Sequence, residues 1–385
     1  MKNLHLAAVI LSVSVGIALV FLFGANLLDT AKPGTVSRLT DLYRIWNLYN
    51  PTHPQGDDNG ITAVGFDWID SNWAVFVFGN ADPPGASLWK ISKDGKDISR
   101  IQLPMQFDVI DKVHAFQDRV YFDGWYDRQN KRDVFEVSLD NGTFVQLTHS
   151  GEINMYDVLP DGKIVFEESH SYKTEVCPLY ANDTSGSNWA GYYTTLWLAD
   201  ANGRKIKAIY NGTEVFRDMV TSTDGKSIAF TDITDPSHPM LHAMISCTSF
   251  PGPIEPNLQY GLKLLNLDDG QISDLGSSQY DFYNPKWTPD GKFLLYVVTP
   301  HKCLTDAANP NEQHCISGFL KMLDVSDGSS QLVYGRNGPP YSAAPMGADP
   351  SPDGKSVIFS VLGNVNDGLV NGAGIYILNL DRPLA

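Results

Sequence analysis

Short apolar runs alternate with polar turns along this chain, and the turns recur as a phrase. Ser351-Pro352-Asp353-Gly354-Lys355 leads into the apolar run Val357-Ile358-Phe359. Thr288-Pro289-Asp290-Gly291-Lys292, Ser222-Thr223-Asp224-Gly225-Lys226 and Leu159-Pro160-Asp161-Gly162-Lys163 each lead into a similar run. Asp-Gly supplies the positive φ of a tight two-residue turn, and the β-branched and aromatic run after it predicts a buried strand. The aspartates lie 63, 66 and 63 residues apart, so one supersecondary unit is copied along the chain.

A second turn lies between the copies of the first. It follows Leu88-Trp89-Lys90-Ile91, Val134-Phe135-Glu136-Val137, Leu196-Trp197-Leu198-Ala199, Leu262-Lys263-Leu264-Leu265 and Leu320-Lys321-Met322-Leu323, with a sixth run at Ile375-Tyr376-Ile377-Leu378. Degenerate copies of the first turn precede Trp73 and Val120. Six units with two hairpin turns each predict four strands per unit and an all-β, six-bladed β-propeller. Thr35 to Thr40 reads as a strand, and the last unit has only three, so the N-terminal strand is expected to complete blade six and remove its open edge.

The Ser/Thr-Pro-Asp-Gly-Lys turn into an apolar strand, with the later apolar-Asp-x-x-Gly turn, resembles the propeller repeats of the TolB family. The resemblance covers about residues 36 to 385, with four of the six first turns matching well. It implies a scaffold for protein contacts. The separate α/β domain that precedes the propeller in that family's namesake is not evident in this sequence.

The second-to-third connections are the long ones, at about 168–194, 232–259, 299–317 and 362–373. They share one face with the segment 41–60, which shows no clear periodicity. Long loops on a rigid scaffold usually carry recognition.

Residues Leu6 to Leu28 form an apolar run interrupted only by Ser12, Ser14, Gly16, Gly24 and Asn26, with Lys2 before it. The run is long enough to span a bilayer, which predicts a signal anchor or signal peptide over 1–28, a tether over 29–34 and the propeller over 35–385. The positive-inside rule then places the propeller outside the cytoplasm, touching the membrane through the N-terminal segment only. A net charge of -16 disfavours binding to nucleic acid and to anionic headgroups.

All four cysteines, Cys177, Cys247, Cys303 and Cys315, fall in the long connections. In an exported chain they suggest two disulfides, with Cys303–Cys315 and Cys177–Cys247 favoured among three pairings. Sequons at Asn141, Asn182 and Asn211 permit glycosylation in a lineage with that machinery. His238, Met240, His242 and Met244 alternate, so an extended segment would present two imidazoles and two thioethers to one side, a set suited to copper. The competing reading is a loop whose methionines pack on a neighbouring blade. No other cofactor is expected.

No Gly-x-Ser-x-Gly elbow or phosphate-binding glycine loop is present. The leading expectation is a recognition module that binds a protein or glycan through its long-loop face. The alternative is a propeller hydrolase or lyase with a site at the channel mouth, where His114, Asp157, Asp218 and Asp349 are the candidate groups. A pocket with strongly perturbed titratable groups would favour the enzyme; a wide aromatic loop face would favour the binder.

Overall fold

The computed structural model describes residues 35–49, 62–79, 85–126, 131–174, 189–212, 214, 216–234, 259–278, 281–299, 304–306, 309–314, 318–335, 345–361, 373–380 and 384. The four cysteines, Asn182, the His238 to Met244 segment and residues 1–34 lie outside them. Among the described residues no helix is long and apolar enough to cross a membrane.

The described residues form six antiparallel four-stranded sheets. After β1 (Thr35–Asp41) and α1 (Leu42–Tyr49), blade one comprises β2 (Thr62–Trp68), β3 (Trp73–Gly79), β4 (Ser87–Ser92) and β5 (Ile98–Arg100). Blade two comprises β6 (Val109–Phe116), β7 (Arg119–Tyr126), β8 (Lys131–Ser138) and β9 (Phe144–Gln146). Blade three follows with β10 (Ile153–Val158), β11 (Ile164–Thr174), β12 (Trp189–Ala199) and β13 (Lys205–Gly212). Blade four has β14 (Arg217–Thr221), β15 (Ser227–Thr234), β16 (Gln259–Asn266) and β17 (Ile272–Ser278). Blade five starts with β18 (Asp281–Trp287) and β19 (Phe293–Thr299), inserts a hairpin of β20 (Leu304–Asp306) and β21 (Asn309–His314), and ends with β22 (Phe319–Asp324) and β23 (Ser330–Tyr334). Blade six has β24 (Pro345–Pro350), β25 (Ser356–Val361), β26 (Gly374–Asn379) and then β1.

The repeated phrase is explained atom by atom, with one correction. The first turn is longer than two residues: Ser351 N donates to Ser356 O at 2.8 Å, enclosing four residues between them. Only Gly354 takes a positive φ, 65°. Asp353 serves as an acceptor instead, receiving the Ser351 hydroxyl at 2.6 Å and Lys355 N at 3.1 Å, while Ser351 Oγ accepts from Ser356 N at 3.0 Å. The turns at Ser222 and Thr288 repeat these bonds, which is why the phrase begins with a hydroxyl residue.

Ring closure follows the expected route. β1 pairs with β26 from Thr35↔Asn379 to Asp41↔Gly374. A Cβ at Gly95 would collide with the carbonyl oxygen of Leu39 in β1, and one at Gly203 with the Leu147 carbonyl of blade two, so the borrowed strand occupies an ordinary outer-strand position. Helix α1 was not anticipated in 41–60. Leu42 and Ile45 are buried one turn apart in the core cluster that joins Phe66, Phe76 and Trp89 of blade one to Ile358, Ile375 and Ile377 of blade six, so the helix seals the seam.

Blade three departs from its neighbours. β11 and β12 remain paired out to Thr174↔Trp189, although β10 pairs with β11 only up to Glu168 and β13 with β12 only from Thr194. Much of the expected 168–194 loop is therefore a two-stranded ribbon.

Candidate functional site

Each inner strand carries a one-residue β-bulge near its middle: Val64/Asp67, Ile110/Val113, Ile153/Tyr156, Arg217/Val220, Tyr283/Lys286 and Met346/Asp349. Bulges re-aim side chains and backbone. Gly65, Asp218, Asn284 and Gly347 take left-handed φ values of 61°, 48°, 47° and 58° there. The six bulges surround a cavity of about 490 Å³, including space open to solvent, with Gly65, Asp111, Met155, Asp218, Asn284 and Gly347 contributed one from each blade.

Two lysines cross the axis beside this cavity and tie blades together. Lys112 of blade two donates to Asp157 Oδ1 at 2.9 Å and Tyr156 O at 3.0 Å in blade three, and to Met219 O at 2.5 Å in blade four. Its three N–H donors are thereby engaged. Lys286 of blade five donates to Phe66 O of blade one at 3.1 Å and lies 3.4 Å from Asp349 Oδ1 of blade six. Between them, the two ammonium groups contact all four other blades.

Carboxylates complete the ring. Asp67 Oδ2 lies 3.0 Å from His114 Nδ1 and accepts from Ala115 N at 2.8 Å; His114 Nδ1 is also 3.5 Å from Asp157. Asp157 Oδ2 accepts from Thr221 N and Oγ1 at 2.5 and 2.9 Å. Asp218 Oδ2 accepts from Asn284 N at 3.4 Å. On the outer side of the bulge in blade two, Arg132 pairs with buried Asp123 and with Asp111.

Burial alone would raise every axial carboxyl, but the neighbours divide them. Burial pushes Asp67 up, and Lys286 and His114 more than reverse this, holding it well below the ordinary range. For Asp157, Lys112 and His114 outweigh burial in the same way. Asp349 goes the other way: burial and the Asp67 charge raise it well above the ordinary range, and Lys286 does not compensate. Lys286 is raised despite its burial by Asp349, Asp67 and Asp157. Their surroundings thus shift the two neighbouring carboxyls in opposite directions, Asp67 downwards and Asp349 upwards.

This division has a measurable sign. Asp67 binds fewer protons folded than unfolded, so its contribution is present above the unfolded aspartate pKa of about 4 and is lost as pH falls towards its lower folded value. Asp349 binds more protons folded than unfolded, so its contribution makes stability fall as pH rises from about 4 towards its higher folded value. In urea titrations across pH, Asp349→Asn is expected to flatten the neutral side of the stability profile at little cost. Asp67→Asn is expected to lower stability most near neutrality, because it strips an anion from Lys286 and His114. Matching profiles for the two variants would contradict the division.

Three of the four expected channel residues, His114, Asp157 and Asp349, belong to this axial network, and Asp218 lines the cavity. Asp67, Lys112 and Lys286 were missed. A signal for part of the ring was present, since Asp157, Lys286 and Asp349 each stand four residues before a turn aspartate. The sequon residue Asn141 is exposed in the blade-two hairpin turn and accepts from Thr143 N at 2.8 Å, and Asn211 is exposed in outer strand β13. Among the described residues no group of three or more His, Cys, Asp or Glu could hold a metal ion.

No protein-family model and no curated protein sequence matches the chain. Among solved structures, it is similar to a TolB from Acinetobacter baumannii, with 16% identity, a TM-score of 0.50, and coverage of 83% of this chain and 66% of that one. A TolB from Agrobacterium tumefaciens matches with 12% identity and a TM-score of 0.48 over 84% of this chain and 91% of that one. An oligogalacturonate lyase from Vibrio parahaemolyticus matches with 12% identity and a TM-score of 0.47 over 91% and 95%. At these identities the likeness is one of fold.

Proposed function

We propose that this chain, a six-bladed propeller with the TolB-like fold, is a recognition module that binds a protein or glycan through its long-loop face. The observation that carries this reading is where the chain spends its length. Its hairpin turns are short on one face, whereas the other carries the second-to-third connections, the extended ribbon of blade three and the inserted hairpin of blade five. The axial charges support it, because Lys112, Asp157, Asp67 and Lys286 are engaged in contacts between blades. The apolar run from Leu6 to Leu28 supports an extracytoplasmic location, with the N-terminal segment as anchor or cleaved signal.

Photo-crosslinking in native membranes tests this. A photoreactive residue at Ser171 or Asn311, on the long-loop face, is expected to give a discrete adduct. One at Lys163 or Lys292, on the turn face, is expected to give none. Adducts from the turn face alone, or from neither face, would overturn the reading.

A second reading has one specific observation in its favour. Asp67 and Asp349 are neighbouring carboxyls shifted in opposite directions, the first towards the anion and the second towards the neutral acid, a division that suits the base and the acid of a hydrolase or lyase site at the channel mouth. Turnover of any substrate that is abolished in both Asp67→Asn and Asp349→Asn, with folding retained, would favour it.

A further inference from the structure

Among the described residues the exposed large apolar side chains are Leu48, Met105, Val109, Val145 and Ile206. Val145 and Ile206 belong to the outer strands β9 and β13, and no described hairpin turn of the turn face carries one. The other three stand on the long-loop face. Leu48 lies in α1. Met105 lies in the connection from outer strand β5 to inner strand β6, which crosses that face as residues 41–60 do, and Val109 opens β6.

The Met105 connection is held from beneath. Ile101, Leu103 and Phe107 turn into the core shared by blades one and two, where the Phe107 ring meets those of Phe122 and Phe135 at centroid distances of 5.2 and 4.9 Å. Ile101 N donates to Leu88 O at 2.9 Å, Phe107 O accepts from Ala86 N at 3.0 Å, and Asp108 N donates to Trp125 O at 2.9 Å. Met105 is nevertheless 37% exposed and Val109 43%. Val109 pairs across the strands with half-buried Trp125, which widens the apolar surface. A loop already fixed loses little entropy on binding, and a methionine arm adapts to the shape it meets.

The charge at this spot is negative. Asp108 is exposed, and the Asp111 side chain is 44% exposed. Arg132 lies 2.8 Å from Asp111, but its Nε also donates to buried Asp123 at 2.8 Å. Two carboxylates share one guanidinium, so one negative charge is left over beside that of Asp108.

We propose that Met105, Val109 and Trp125, flanked by Asp108 and Asp111, form the docking site for a short segment of a partner protein in which an apolar side chain stands beside lysine or arginine. The proposal rests on the reading of the long-loop face as a binding surface and commits this part of it to a protein. A basic residue meets the uncompensated carboxylate charge, an acidic one is repelled by it, and the apolar neighbour covers Met105 and Val109. A neutral glycan would gain nothing from the excess charge, and an anionic one would be repelled.

The test is selection of a random peptide library displayed on phage against the full-length chain in phosphatidylcholine nanodiscs, followed by titration of the most enriched peptide by fluorescence anisotropy. Enriched sequences are expected to place Lys or Arg next to an apolar residue. The chosen peptide is expected to bind saturably. Met105→Ser with Val109→Ser, or Asp108→Asn with Asp111→Asn, should weaken it by about tenfold or more while the circular dichroism spectrum stays that of the parent. Val145→Ser with Ile206→Ser, and Asp140→Asn with Asp268→Asn, remove exposed groups of the same kinds elsewhere and should stay within about twofold. The proposal is overturned if no peptide is enriched, or if the enriched set lacks basic residues. It is also overturned if the control variants lose as much binding, which would mean diffuse attraction to a chain of net charge -16. Saturation by cellohexaose that Met105→Ser with Val109→Ser abolishes would give the patch to a glycan, and self-association abolished by the same variant would give it to a second copy; either result overturns the proposal. If the peptides fail while Ser171 and Asn311 still give adducts, the long-loop face remains a binding surface through its other loops and only this assignment falls.

Discussion

Removal of residues 30–41 is expected to destabilise the propeller as a whole rather than only its last blade. β1 supplies the outer strand of blade six, pairing with β26 along its length. Its loss exposes the β26 edge and uncovers the blade-six core cluster, against which Val36 packs. Leu39, whose carbonyl lies against Gly95, packs against the seam cluster and would go with it. A strand of this length forfeits several backbone hydrogen bonds together with packing, on the order of 5 kcal/mol. Whole domains are stable by only about 5–15 kcal/mol, so the change consumes a large share. Urea denaturation should show a much lower midpoint with the transition still single. A synthetic peptide of residues 33–41 added in trans should restore part of the loss. An unchanged midpoint would show that β1 is not needed for closure.

The fold was legible because the same local solution is written several times. Each Ser/Thr-x-Asp-Gly-Lys turn draws on three of its residues for their particular chemistry: the hydroxyl, the carboxylate and the glycine φ. Such a phrase survives as a pattern even when the strands between copies vary. Helix α1 was missed although Leu42, Ile45, Trp46 and Tyr49 stand at the i, i+3, i+4, i+7 spacing of a helix, because a segment of eight residues is too short to hold a helix by itself. Its formation depends on the seam between blades six and one, a surface that exists only once the ring has closed.

The axial site was partly legible, for a related reason. Counting back from the turn aspartates reaches Asp157, Lys286 and Asp349, whose place in the unit repeats. Lys112 stands inside a bulge, and a bulge is defined by a strand's register against its partner, which composition does not reveal. Asp67 was hidden because the first turn of its blade is degenerate. The ion-pair partners of both residues lie in other blades, so no local spacing announces them.

Lys112→Met is expected to give the largest loss of any single substitution at the axis. The Lys112 side chain is 15% exposed and that of its partner Asp157 only 1%, so water is a poor substitute for the ammonium group. Methionine preserves much of the aliphatic stem but leaves Asp157 to Thr221 and His114 and deprives the Tyr156 and Met219 carbonyls of their donor. Breaking a buried pair by removing one partner costs about 3–5 kcal/mol, chiefly because the remaining charge is stranded. Asp157→Asn in the same background removes that stranded charge. The double variant should therefore recover part of the loss, giving a coupling energy of about 1–3 kcal/mol in a double-mutant cycle read by urea denaturation. Additive losses would mean that the two side chains act separately. In that case the Lys112 bonds to the Tyr156 and Met219 carbonyls, which span three blades, would carry the effect.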